Sequence, residues 1–73
     1  MKLTDREKTV LGYLCSGYTN KEIGEKMYLS VSTIKTHLES IYAKLSLTSR
    51  VEVALWAVVK AGIVPIKNKS ELE

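Results

Sequence analysis

The cleanest pattern in the chain is the recurrence of Ile34, Leu38, Ile41 and Leu45 at steps of 4, 3 and 4 residues. That spacing lays the four side chains along one narrow face of a helix. Ser32, Lys35, Thr36, Glu39 and Ala43 fall opposite, so the outer surface of its first two turns is small, polar or basic. A shorter stripe of Val10, Leu11 and Leu14 predicts a first helix, and Ile23 and Met27 give the inner edge of a second. The starts are marked by caps. Thr4-Asp5-Arg6-Glu7, Thr19-Asn20-Lys21-Glu22 and Ser49-Arg50-Val51-Glu52 all have capping-box form, a hydroxyl followed three positions later by a carboxylate. Ser30 is a fitting N-cap for the third helix. Gly17 and Gly62 stand where a left-handed residue would end the first and fourth helices, and Pro65 stops the last one. The expectation is an all-α four-helix bundle, with helices at about 5–16, 20–27, 31–45 and 50–61.

Only a few residues, Tyr28 and Leu29 among them, join the second helix to the third. So short a connection disfavours an antiparallel pair and favours a crossing near a right angle, the helix-turn-helix geometry. Gly24 points the same way. A glycine inside a helix costs about 1 kcal/mol relative to alanine, which is best explained by a close approach of a neighbouring helix.

The fourth helix breaks the amphipathic rule. Val51, Val53, Ala54, Leu55, Trp56, Ala57, Val58, Val59 and Ala61 make it apolar nearly all round. With Val53, Ala54, Ala57, Val58 and Ala61 turned inward, Leu55, Trp56 and Val59 face out beside Glu52. A patch of that kind marks a partner surface, and two copies of one helix meeting give a two-fold dimer. Trp56 folded over the domain edge as a lid is the other reading.

Length sets the scale of what this chain can do. Seventy-three residues are a single small domain, here placed at 1–66 with a polar C-terminal tail at 67–73. Such a domain has little room to enclose a cofactor or small molecule, and none is expected. Eleven basic against eight acidic residues give a net charge of +3, which permits a polyanionic partner without demanding one. The single cysteine, Cys15, is read as a small buried hydrophobe, compatible with a reducing cytoplasm. No apolar run reaches membrane-spanning length and no signal-peptide core opens the chain, so a cytoplasmic location without membrane association is expected. No nucleophile–base pair or phosphate-cradling glycine loop is present, which argues against an enzyme. His37 is the one histidine and has no further ligands at metal-binding spacing, so no metal site is expected.

Four ordered blocks carry a family resemblance. Leu3-Thr4-Asp5-Arg6-Glu7, then Gly17 to Ile23, then Ser30-Val31-Ser32-Thr33-Ile34-Lys35-Thr36-His37, then Lys44-Leu45 with Arg50, resemble the LuxR/FixJ/GerE-type helix-turn-helix DNA-binding domain. The likeness runs over about residues 3–64. It implies the effector domain of a bacterial transcription regulator of the response-regulator kind. Such a domain binds double-stranded DNA as a homodimer through its last helix, with RNA polymerase as a further partner.

Carried onto this chain, the resemblance implies a recognition helix at 31–45 whose Lys35 and Thr36 face base edges in the major groove. Lys35 suits guanine O6 or N7, and the Thr36 methyl suits a thymine methyl. Glu39 either reads a base, accepting from cytosine N4, or pairs with Lys35 one turn away. Phosphate contacts are expected from Lys21, Ser32, Thr33, His37 and Lys44, with Thr33 also serving the helix cap. Arg50 is favoured for a structural bridge to Glu7 over a phosphate contact. The dimer interface is expected at Glu52, Leu55, Trp56 and Val59. A rival function keeps the fold but moves the work to the helix at 50–61: a protein-interaction module that heterodimerises with a larger regulator and does not itself bind DNA.

Overall fold

The computed structural model describes residues 3–63. The Pro65 stop, the domain limit at residue 66 and the 67–73 tail lie outside the described residues. Within them the order is α1 (Asp5–Cys15), α2 (Asn20–Met27), α3 (Val31–Leu45) and α4 (Arg50–Val59), with no strand among the described residues. No described helix is long and apolar enough to cross a membrane.

Side-chain caps build the starts as the sequence predicts, with one exception. Thr4 Oγ1 accepts from the Glu7 amide at 3.1 Å while Glu7 Oε1 accepts from the Thr4 amide at 2.8 Å. Thr19 and Glu22 repeat the exchange at 3.2 and 2.9 Å. Ser30 Oγ accepts from the Thr33 amide at 3.1 Å. At α4 the expected box is one-sided. Ser49 Oγ accepts from the Val51 and Glu52 amides, and the Ser49 amide makes no return bond to the Glu52 carboxylate.

The ends follow backbone rules that the side chains only partly announce. After α1, the Gly17 amide donates to Leu14 and the Tyr18 amide to Tyr13, a Schellman closure with Gly17 at φ 88°. The Tyr13 and Tyr18 rings meet across it with centroids 5.3 Å apart. α2 and α3 close on non-glycine residues in the left-handed region, Tyr28 at φ 58° and Ser46 at φ 55°. α4 stops two residues before the expected 61. The Lys60 and Ala61 amides both turn to the Trp56 carbonyl, and Gly62 at φ 66° carries the chain away.

Val10, Leu11 and Leu14 of α1, Ile23 of α2, Ile34, Leu38 and Ile41 of α3, and Val53 and Ala57 of α4 form one core, joined by Leu3 and Tyr18. Each large aliphatic buried there contributes about 1.5–3 kcal/mol. α1 packs against all three other helices, and α2 against α3. Gly24 is buried for a reason nearer than a second helix. A Cβ there would stand 2.6 Å from the carbonyl oxygen of Leu29, in the α2–α3 turn itself, and 3.7 Å from Ile34 Cγ1. The same turn is closed by the Leu29 amide donating to the Gly24 carbonyl at 2.8 Å.

A buried carboxylate fixes the other side of α3. Glu7, with its side chain only 5% exposed, accepts from Lys44 Nζ at 2.7 Å on Oε1 and from Ser40 Oγ at 2.8 Å on Oε2. Burial alone would push its carboxyl up. The bonds from Lys44, the Thr4 amide and Ser40, with the Lys44 charge, outweigh burial and hold it at about 2, against an ordinary 4.5. One residue thus caps α1 and locks α3 onto it.

Candidate nucleic-acid interface

With Ile34, Leu38 and Ile41 buried, helical geometry forces the opposite face of α3 into solvent, and Ser32, Lys35, Thr36 and Glu39 are all exposed there. Thr36 Oγ1 donates to the Ser32 carbonyl at 3.1 Å, so its proton is committed to the backbone, leaving the oxygen lone pairs and the methyl as contact groups. Thr33 serves the cap, its hydroxyl 2.9 Å from Ser30 Oγ. His37 is half-buried and Lys21 is exposed on the first turn of α2. The first turn of α3 carries no acid, whereas α1 has Asp5 and Glu7, α2 has Glu22 and α4 has Glu52. The positive end of α3 is therefore left uncompensated, the electrostatic condition for an anion to approach it.

Three sequence expectations are redirected. Lys44, expected on phosphate, has its ammonium held against Glu7, on a flank of α3 away from Lys35. Arg50 is structural but does not reach Glu7. Its Nη1 donates to Asn20 Oδ1 at 2.8 Å and its Nη2 to the Tyr18 carbonyl at 2.6 Å, tying the start of α4 to the start of α2. Lys35 and Glu39 form no ion pair; Glu7–Lys44 is the salt bridge found among the described residues. Instead the two line a hollow of about 150 Å³ with Asn20, Leu38, Tyr42 and Arg50. Tyr42 and Asn20 were not singled out from the sequence. Tyr42 follows Lys35 by seven positions and Glu39 by three, a helical spacing that could have flagged it. Asn20 had no local signal, because its partner lies 30 residues away.

On α4 only Val53 and Ala57 are fully buried. Leu55 and Val59 stay 63% and 64% exposed, and Glu52 is exposed beside them. Trp56 is half-buried against the core and also forms a wall of the outer surface. With Leu47, Glu52, Leu55, Val59 and Lys60 it lines an apolar hollow of about 320 Å³. Val58 and Ala61, expected inward, are exposed, and Val51 is exposed too. α4 packs chiefly against α1 alone, so only one narrow stripe of it is covered. Among the described residues no group of three or more His, Cys, Asp or Glu is placed to hold a metal ion.

Comparison with known proteins agrees with this geometry. The family described as bacterial regulatory proteins, luxR family, matches residues 1–57. The transcriptional regulatory protein LiaR of Bacillus subtilis is 42% identical over 55 residues, covering 75% of this chain and 26% of LiaR. The DNA-binding transcriptional activator DevR/DosR of Mycobacterium tuberculosis is 42% identical over 55 residues, 75% of this chain and 25% of its own length. Fimbriae Z protein of Escherichia coli K12 reaches 49% over 55 residues, with 75% and 26% covered. The chain spans about a quarter of the length of these relatives. The matched stretch runs from the α1 cap to Ala57 and includes every fully buried core side chain and the whole outward face of α3: the chain belongs to the luxR family of bacterial regulatory proteins, which are regulators and not enzymes.

Proposed function

We propose that this chain is the DNA-binding unit of a bacterial transcription regulator, acting in the cytoplasm on double-stranded DNA. The observation that carries the reading is the face Ser32, Lys35, Thr36 and Glu39, exposed along α3 and free of acid at its positive end. In this reading α3 enters the major groove. Lys35, Thr36 and Glu39 meet base edges, while Lys21, Ser32, Thr33 and His37 hold phosphates. Lys44 is left out because Glu7 occupies it. Two copies joined through Leu55, Trp56, Val59 and Glu52 of α4 would set two recognition helices about 34 Å apart, one turn of DNA. RNA polymerase would be met from the same promoter-bound assembly.

Binding to duplexes of varied sequence across a salt titration tests this. Log affinity should fall with log salt at a slope of about −0.9 per neutralised phosphate. Lys35→Ala should flatten base preference by roughly ten-fold, a loss within the 1–3 kcal/mol of a specific base contact, and Lys21→Ala should weaken all sequences alike. Unchanged affinity and preference in Lys35→Ala would remove the groove assignment. A second reading rests on the exposed apolar face of α4: heterodimerisation with a larger regulator, without DNA contact. Absence of any duplex binding at low salt would favour it.

A further inference from the structure

The large hydrophobic side chains left exposed among the described residues fall into two groups. Val51, Leu55, Val58 and Val59 belong to α4, and Tyr28 and Val31 stand at the α2–α3 turn. A dimer through α4 accounts for the first group and leaves the second bare. Val31 is the first residue of α3 and 43% exposed. The first turn of a helix favours acidic residues, which α1, α2 and α4 all have there, yet α3 opens on an aliphatic side chain. Val31, Lys35 and Glu39 follow at steps of four, so they form a single ridge on the helix surface, and all three are exposed. The ridge spans ~12 Å at 1.5 Å per residue, or about three to four base-pair steps of 3.4 Å. Its second and third members hydrogen-bond; its first cannot. Among base edges in the major groove the apolar feature is the 5-methyl group of thymine.

Resting on the DNA-binding reading above, we infer that Val31 is a specificity-determining residue that packs against a thymine 5-methyl group (or the equivalent methyl of 5-methylcytosine) at the leading end of α3. Only dispersion and desolvation act between the two groups, so the contact discriminates bases without any hydrogen bond.

The test removes the methyl from the DNA and from the protein in turn. Duplexes enriched from a random-sequence pool by the wild-type chain are resynthesised with deoxyuridine replacing thymidine one position at a time. Binding is then measured for the wild type and Val31→Ala. At one thymidine per half-site, distinct from any met by the Thr36 methyl, loss of the methyl should weaken the wild type about four-fold, the worth of one buried methyl. Val31→Ala should bind the thymidine and deoxyuridine forms equally, and its helical circular dichroism should match the wild type. The inference fails if no position responds, or if Val31→Ala loses as much as the wild type at every responsive position, since a thymidine met by the Thr36 methyl would respond in both. A pool that cannot be enriched at all overturns the DNA-binding reading as well, so the two failures are told apart.

Discussion

α3 and α4 are both apolar-rich helices of one small domain, yet they meet their surroundings in opposite ways. α3 buries Ile34, Leu38 and Ile41 on a narrow stripe and turns outward a face that is polar apart from Val31 at its start. α4 buries only Val53 and Ala57 and leaves Val51, Leu55, Val58 and Val59 in solvent. The difference teaches where each helix expects its second partner. Hydrogen-bonding side chains around an uncompensated helix start suit a wet, charged surface, whereas exposed aliphatics suit a dry one. α3 is also the better anchored, through Glu7 on one flank and the Gly24–Leu29 turn at its entry.

The comparison breaks most directly in the stripe that α3 buries. Ile34 is fully buried, and its Cγ1 lies 3.7 Å from where a Cβ on Gly24 would stand. Ile34→Ala should destabilise the domain by about 3 kcal/mol, the usual range for an isoleucine truncated in a packed core. Urea unfolding followed by circular dichroism measures it. In a domain this small such a loss takes a large share of the stability.

Next in size is the Glu7 clamp. Its folded-state carboxyl lies below the unfolded value, so its contribution is complete above about pH 4.5 and is lost as pH falls towards about 2. Lys44 still meets solvent, which screens the pair, so a contribution of about 1–2 kcal/mol is expected. Glu7→Gln should lose that amount at pH 7. Between pH 4.5 and 2 its urea midpoint should fall less steeply than the wild type's. Parallel curves would show that the clamp does not set the acid limit.

These residues also show where sequence reasoning succeeds. Helix starts are local: Thr4 with Glu7, Thr19 with Glu22, and Ser30 with Thr33 are three positions apart, and each bond forms. Helix ends are less legible, because Tyr28 and Ser46 adopt a backbone that glycine usually supplies. The outward face of α3 follows from the spacing of its buried residues. The partners of Lys44 and Arg50 do not, since Glu7 and Asn20 lie 37 and 30 residues away and only the packed fold brings them near. The sequence offers Glu7 as half of a capping box and as a partner for Arg50, and nothing local reveals that beyond the cap its two oxygens serve Ser40 and Lys44 of α3 instead.

A smaller effect sharpens the contrast at the helix borders. α4 is followed by a glycine at positive φ, while α3 is entered through Tyr28, 94% exposed at φ 58°. A bulky residue in the left-handed region carries strain that glycine does not. Tyr28→Gly should therefore stabilise the domain by about 0.5–1 kcal/mol, seen as a higher urea midpoint. Unchanged or lower stability would mean that the exposed ring contributes to the turn.

The smallest expected change in domain stability comes from the face that α4 leaves bare. Leu55 matches Ile34 in side-chain size and apolarity, but it is mostly in water already. Leu55→Lys keeps a good helix former, so the stability of the isolated domain should move by no more than about 0.5 kcal/mol. Across a two-fold interface, however, the same change sets like charges at a contact that should be dry. Sedimentation at increasing concentration should show self-association in the wild type and a monomer in Leu55→Lys. Should the wild type itself stay monomeric, DNA must supply the second half of the contact, and paired half-sites should then bind Leu55→Lys no better than single ones. A large loss of folding stability would instead move Leu55 into the core and leave α4 as covered as α3.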